Sequence, residues 1–145
     1  VSRLDDLSPH ELGRYALAAH EAGHGVVHKA LGDKVAWVRL GSGGGCTRTR
    51  VQTLDHDVIG SLAGQEAQAL WISRRLGWSF GSALSLARKS SGHDLAHVRK
   101  VIGRSGLSLG AAQSRARSLV RSNWGRIDRA ATRLYRSGQL SGWDL

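Results

Sequence analysis

The stretch Tyr15 to Val27 reads Y-A-L-A-A-H-E-A-G-H-G-V-V: two histidines and a glutamate set among small, apolar residues. This is the tightest constraint on what the chain can fold into. Residues around it, from Glu11 through Val27, carry a helical pattern. Positions four apart lie on one helix face, about 6 Å apart along the axis, so His20 and His24 point the same way. Polar side chains on an otherwise apolar face need a partner or a metal. Gly23 and Gly25 each weaken a helix by roughly 1 kcal/mol relative to alanine, which implies that another element approaches closely there. His20-Glu21-Ala22-Gly23-His24 is also an H-E-x-x-H pentad. Two neutral nitrogen ligands with a carboxylate one step from the first are the minimal hardware of a zinc hydrolase.

At 145 residues the chain is long enough for a core, and one domain spanning residues 1–145 is expected. Its one cysteine, Cys46, rules out an intramolecular disulfide and a cysteine-built zinc site, and reads as structural. It fits a reducing compartment. No run of about 18 apolar residues is present, so no membrane-spanning helix is expected. The start, V-S-R-L-D-D-L, lacks the apolar core of a signal peptide, and a cytoplasmic location is the expectation. The net charge is +10, from 21 Lys+Arg against 11 Asp+Glu, with arginines densest in the second half. Such a charge suits an acidic partner or nucleic acid. No nucleic-acid motif accompanies it, and a solvated helical face is the preferred reading.

Local signals give a mainly α (α+β) fold, a helical domain with a small β-hairpin or edge strand. Ser8-Pro9-His10-Glu11 is a helix start: Ser8 caps, Pro9 suits the first helical position and Glu11 completes a capping box. The helix should run to about Leu31, with Gly32 as its stop. Lys34 to Leu40 alternates as a strand, Gly41 to Gly45 is a break, and Cys46 to Val51 suits an edge strand with its arginines turned to solvent. Asp55 to Leu76 is helical by period and ends at Gly77. Phe80 to Lys89 and His93 to Gly103 read as shorter helices. Ser108 to Ser137 carries one long amphipathic period, and Gly138 to Leu145 is a turn and a short tail.

A catalytic zinc usually takes three protein ligands and keeps one position for water. Asp94, His93, His97, Glu66 and the pair Asp55/Asp57 are candidates for the third. His28, one turn beyond His24, reads as a polar residue near the helix end.

A-A-H-E-A-G-H-G-V-V resembles the zinc helix of the FtsH-type peptidase domain, the proteolytic half of the membrane AAA proteases. Further stretches are similar in the same order: K-V-A-W-V-R-L, S-L-A-G-Q-E-A-Q-A-L, S-G-H-D-L, G-L-S-L-G and L-S-G-W-D-L. The resemblance runs from about residue 8 to 145, and the pentad is its specific part. It implies His20 and His24 as zinc ligands, Glu21 as general base and Asp94 as the third ligand. The chain departs from that pattern in places. Only His93 stands between Gly92 and Asp94, Val98-Arg99 replaces an Ala-Thr pair, and Gln65 and Gln68 stand where Arg and Glu are usual. Trp78 to Lys89 looks inserted. No G-x-x-x-x-G-K-[ST] loop is present, so the chain looks like the peptidase half alone.

These readings make a zinc-dependent endopeptidase the leading expectation. Its substrate would be a peptide or a flexible protein segment, unless a separate unfoldase feeds it. The resemblance also implies a homo-oligomer. The expectation from a different class is a non-catalytic, zinc-stabilised adaptor that binds an acidic partner or nucleic acid through its arginines.

Overall fold

The computed structural model describes residues 4–145; the first three residues of the N-terminal stretch lie outside the described residues. The protein is mainly helical, with six α-helices and a small three-stranded antiparallel sheet among the described residues.

Helix α1 spans Pro9–Ala30. Its start is the anticipated capping box: Ser8 Oγ accepts from the Glu11 N–H at 3.1 Å, and Glu11 Oε1 accepts from the Ser8 N–H at 3.0 Å. Two orphan donors are thereby satisfied. Gly32 beyond its end has φ +92°, a conformation open to glycine. Strand β1 (Lys34–Leu40) follows and pairs with β2 (Gly45–Arg50), with Val38 opposite Thr47 and Arg39 opposite Cys46. Helix α2 (Leu54–Leu76) begins on Thr53, whose hydroxyl accepts from the His56 N–H, and ends on Gly77 at φ 78°. Helices α3 (Phe80–Lys89), α4 (Gly92–Val101), α5 (Leu109–Ser122) and α6 (Trp124–Ser137) complete the helical part.

Two expectations need correction. The single period over residues 108–137 is two helices, broken at Asn123, whose amide donates to the Leu119 carbonyl at 2.8 Å. That bond closes α5 and lets α6 turn away, while the apolar spacing continues on both sides. The hairpin is also not alone: Gln139–Ser141 forms β3, antiparallel to β1, giving the order β2-β1-β3. β2 is therefore an edge strand, and Arg48 and Arg50 are exposed on it as anticipated. Among the described residues no helix is long and apolar enough to cross a membrane.

One cluster of buried apolar side chains holds the elements together. Tyr15 of α1 stacks on Trp71 of α2 at 4.9 Å and on Tyr135 of α6 at 4.5 Å. At its other end α1 is pinned by the tail: Lys29 Nζ donates to the Gly142 carbonyl at 2.8 Å and to Leu145 O at 3.1 Å. The Leu145 side chain lies on Gly25.

The close approach implied by the glycines of α1 is real at Gly23. A Cβ there would collide with Ala67 Cβ and meet the Ala63 carbonyl oxygen at 3.0 Å. By contrast Gly13, in the same helix, has nothing within 4 Å of that position. Gly13→Ala should therefore gain up to about 1 kcal/mol in guanidinium unfolding from helix propensity alone. Gly23→Ala should lose about 1–3 kcal/mol, because overpacking against backbone outweighs that gain. Equal effects would show that α1 and α2 do not touch there.

Candidate metal centre

Every fourth residue of α1 from His20 onward is histidine: His20, His24 and His28. They face Gln68, Gly64 and Gly60 of α2, which are also four apart and run in the opposite direction. His20 Nδ1 lies 3.0 Å from Gln68 Oε1, and both His20 and His24 lie over Gly64. His28 lies over Gly60. A Cβ at Gly64 would come to 2.5 Å from His24 Nε2 and 2.6 Å from His20 Nε2. The pocket for the two rings exists only because that residue has no side chain.

Hydrogen bonds set the tautomers. His24 Nδ1 is 2.7 Å from the Gly60 carbonyl, which can only accept, so Nδ1–H donates. His20 Nδ1 donates likewise to Gln68 Oε1. In the neutral rings both Nε2 atoms then carry lone pairs. They are 3.0 Å apart. Helix α4 brings Asp94 from its first turn, placing Oδ2 2.9 Å from His20 Nε2 and 3.1 Å from His24 Nε2.

Three lone-pair atoms at these separations repel unless a cation lies among them. Around a tetrahedral ion bound at 2.0–2.1 Å, neighbouring ligand atoms stand roughly 3.3 Å apart. The triangle is close to that size, and two imidazoles with one carboxylate suit zinc. Each imidazole also has the outer-shell partner that metal-binding histidines ordinarily have. The residues present therefore fit a zinc ion.

Glu21 completes the group. It is 5% exposed, and one of its carboxylate oxygens lies within 4.8 Å of ring nitrogens of His20 and His24. Thr47 Oγ1 donates to Glu21 Oε2 at 2.9 Å, and Gly45 lies flat against the Glu21 side chain. Oε1 has no hydrogen-bond partner among the described residues. Two clefts meet at Glu21 and Asp94, of about 330 Å³ and about 410 Å³. The first lies along β2 and the second beneath the glycine turn that precedes it. Cys46, expected as structural, is exposed and borders the first cleft, because alternation along an edge strand leaves its side chain outside the core.

The other third-ligand candidates lie elsewhere or are engaged. Glu66 is buried and paired with Arg117 at 2.6 Å. His97 Nε2 meets Asp57 Oδ2 at 2.8 Å, Asp55 Oδ1 accepts from the Gly106 N–H at 2.8 Å, and His93 is exposed. His28 does lie in the last turn of α1, as read from the sequence. It is buried, with Nδ1 2.8 Å from Asp33 Oδ2. Sequence reasoning missed Gln68, Gly60, Gly64 and Thr47. The four-residue spacing of 60, 64 and 68, matching that of the histidines, was the available signal for three of them.

No family model matches this chain, and no curated protein matches it.

Burial opposes protonation of His24, but the Asp94 carboxylate outweighs it, with help from Glu21 and the Gly60 carbonyl, and holds the ring up to about 9. Burial opposes ionisation of Asp94, but the hydrogen bonds from His20 and His24 hold it well below the usual carboxylate range. In chelator-stripped protein a proton thus serves as the cation of this cluster. A raised histidine stabilises the fold fully below its unfolded value of 6.5, and the effect is lost as pH rises through about 9. A depressed aspartate stabilises above its unfolded value of 3.8, and that effect is lost as pH falls. Thermal melts of stripped protein should therefore show Tm falling between pH 6.5 and 9.5, with the fall removed in His24→Gln. A flat profile in the wild type would contradict the His24–Asp94 pairing.

Gly64→Ala supplies a second test. Equilibrium dialysis should show zinc affinity lowered at least tenfold, with the helical circular dichroism kept. Unchanged affinity would mean that the ion is held elsewhere.

Proposed function

We propose that the protein is a zinc-dependent peptidase that hydrolyses peptide bonds in extended or flexible segments. The observation that carries this reading is the convergence of His20 Nε2, His24 Nε2 and Asp94 Oδ2 beside a carboxylate with one free oxygen, at the junction of two open clefts. A purely structural zinc site is closed by a fourth protein ligand. Here the accessible side belongs to the clefts. The collinear resemblance to the FtsH-type peptidase domain supports the same reading.

Zinc bound there would supply Lewis acidity and lower the pKa of a coordinated water towards ~7. The chain's own groups do the rest. Gln68 and the Gly60 carbonyl keep both imidazoles in the tautomer that offers Nε2. Asp94 adds a negative charge that offsets part of the cation's. Thr47 fixes Glu21 through Oε2, leaving Oε1 to take the proton from the attacking water. The same oxygen returns it to the leaving amine as the C–N bond breaks. β2 has one free edge, and an extended peptide can add to it as a further strand, so that main-chain hydrogen bonds hold the scissile bond in place.

Glu21→Gln should keep one zinc per chain and lower cleavage of a casein or peptide-library substrate by about 10²–10⁴-fold. Asp94→Ala should lower zinc content itself. Wild-type rates in Glu21→Gln would refute the assignment of the base, and full zinc content in Asp94→Ala would refute the third ligand.

A further inference from the structure

The mechanism leaves one buried imidazole unused. His28 is one turn beyond His24, and its side chain is 7% exposed. Its Nδ1 meets Asp33 Oδ2 at 2.8 Å, and Asp33 is itself wholly enclosed. Asp33 Oδ1 is held in turn by His56 Nδ1 at 2.9 Å and the Gln52 N–H at 3.0 Å. Burial opposes ionisation of Asp33, but the hydrogen bonds from His28, His56 and Gln52 outweigh it. The Asp33 carboxylate therefore takes the Nδ1–H of His28 and fixes its tautomer. His28 Nε2 has no hydrogen-bond partner among the described residues, and His28 lines the cleft along β2. Burial pushes this imidazole below its ordinary value, so at neutral pH Nε2 is a lone-pair acceptor.

The same cleft is lined by Asp57 and Ser61 from α2, and by Thr49 from β2. Asp57 gives only Oδ2 to His97, which is half exposed, and Oδ1 has no partner among the described residues. Among the described residues neither lysine nor arginine lines this cleft, although the chain has 21 of them. Away from the proposed metal site, the wall thus offers a fixed imidazole acceptor, a free carboxylate oxygen and hydroxyls. The cleft on the other side of Asp94 is lined by Leu17 and the glycines of the β1–β2 turn together with Gln68, Ser90, Ser91 and His93, and it lacks a counterpart of Asp57.

We propose that the cleft bounded by His28, Asp57 and Ser61 holds a lysine or arginine side chain of the substrate, next to the scissile bond. This rests on the peptidase reading and names the substrate class of the same site. An ammonium or guanidinium brings several N–H donors and no acceptor, which matches a wall built of acceptors. Charge-assisted hydrogen bonds are the strong ones, and a partly enclosed cleft screens them less than open solvent does. The second cleft has no carboxylate beyond the shared Glu21 and Asp94, so it should discriminate less by charge.

The test uses zinc-loaded Glu21→Gln protein and fluorescent peptide sets carrying lysine, norleucine or glutamate at each position in turn. Anisotropy should show lysine bound about tenfold tighter than norleucine at one position, about 1.4 kcal/mol, and glutamate weakest. Asp57→Asn and His28→Gln should each reduce that ratio, and Asp57→Lys should reverse it towards glutamate. Equal binding of the three residues at every position overturns the proposal. So does a lysine preference unchanged in all three variants, or no binding of any peptide at millimolar concentration. Mass spectrometry of peptides cut by the wild type separates the two levels. Cleavage with no preference for lysine or arginine overturns the cleft assignment and keeps the peptidase reading. Lysine-selective binding with no cleavage overturns the peptidase reading and keeps the cleft assignment.

Discussion

The contact between α1 and α2 governs this structure. His20, His24 and His28 form a stripe with a period of four residues, and Gln68, Gly64 and Gly60 form its antiparallel counterpart. The missing side chains at 60 and 64 let three imidazoles pack closely against a helix backbone. That closeness makes the Gly60 carbonyl available to His24. Packing and polar satisfaction are achieved by one arrangement, and either helix alone would leave the rings without orientation. The glycines weaken both helices locally, so the pairing must rest on tertiary contacts such as the Tyr15, Trp71 and Tyr135 stack.

The remaining elements act on this pair of helices. Helix α4 contributes Asp94 from its first turn, where the helix dipole favours a carboxylate. Strand β2 covers Glu21, with Gly45 flat against it and Thr47 bonded to it, and its free edge lies along the cleft. The tail lies on Gly25 and holds Lys29. Acidic residues gather near the centre: Glu21, Asp33, Asp57 and Asp94 all lie on or beside the histidine stripe. The arginines of the second half are largely exposed or paired elsewhere, as Arg75 is with Asp128 and Arg117 with Glu66. A chain of net charge +10 thus keeps its proposed chemical centre negative.

Much of this was legible in the sequence, for identifiable reasons. Caps and stops are local chemistry, so Ser8, Glu11, Gly32 and Gly77 could be read from neighbouring residues. Strand β1 was legible because Lys34 to Leu40 is rich in Val and Trp and bounded by Gly32 and Gly41. The break at Asn123 was not, since apolar residues continue in register on both sides and the deciding bond is to a carbonyl in α5. Strand β3 is three residues long and exists only because β1 offers it an edge. In the centre, the pentad reports its own helix and nothing of its partners. Gln68, Thr47 and Asp33 act through folding that joins distant parts of the chain. His28 illustrates the limit: its spacing from His24 was visible, but its burial depends on Gly60, which lies 32 residues further along.

The central claim is that His20, His24 and Asp94 hold one ion between them. Zinc K-edge absorption on the chelated and reconstituted protein addresses it directly. The account predicts one zinc per chain with a light-atom shell at about 2.0–2.1 Å and multiple-scattering features of two imidazoles, one of which disappears in His24→Gln. A spectrum of fully hydrated zinc, or one unchanged by that substitution, would contradict it.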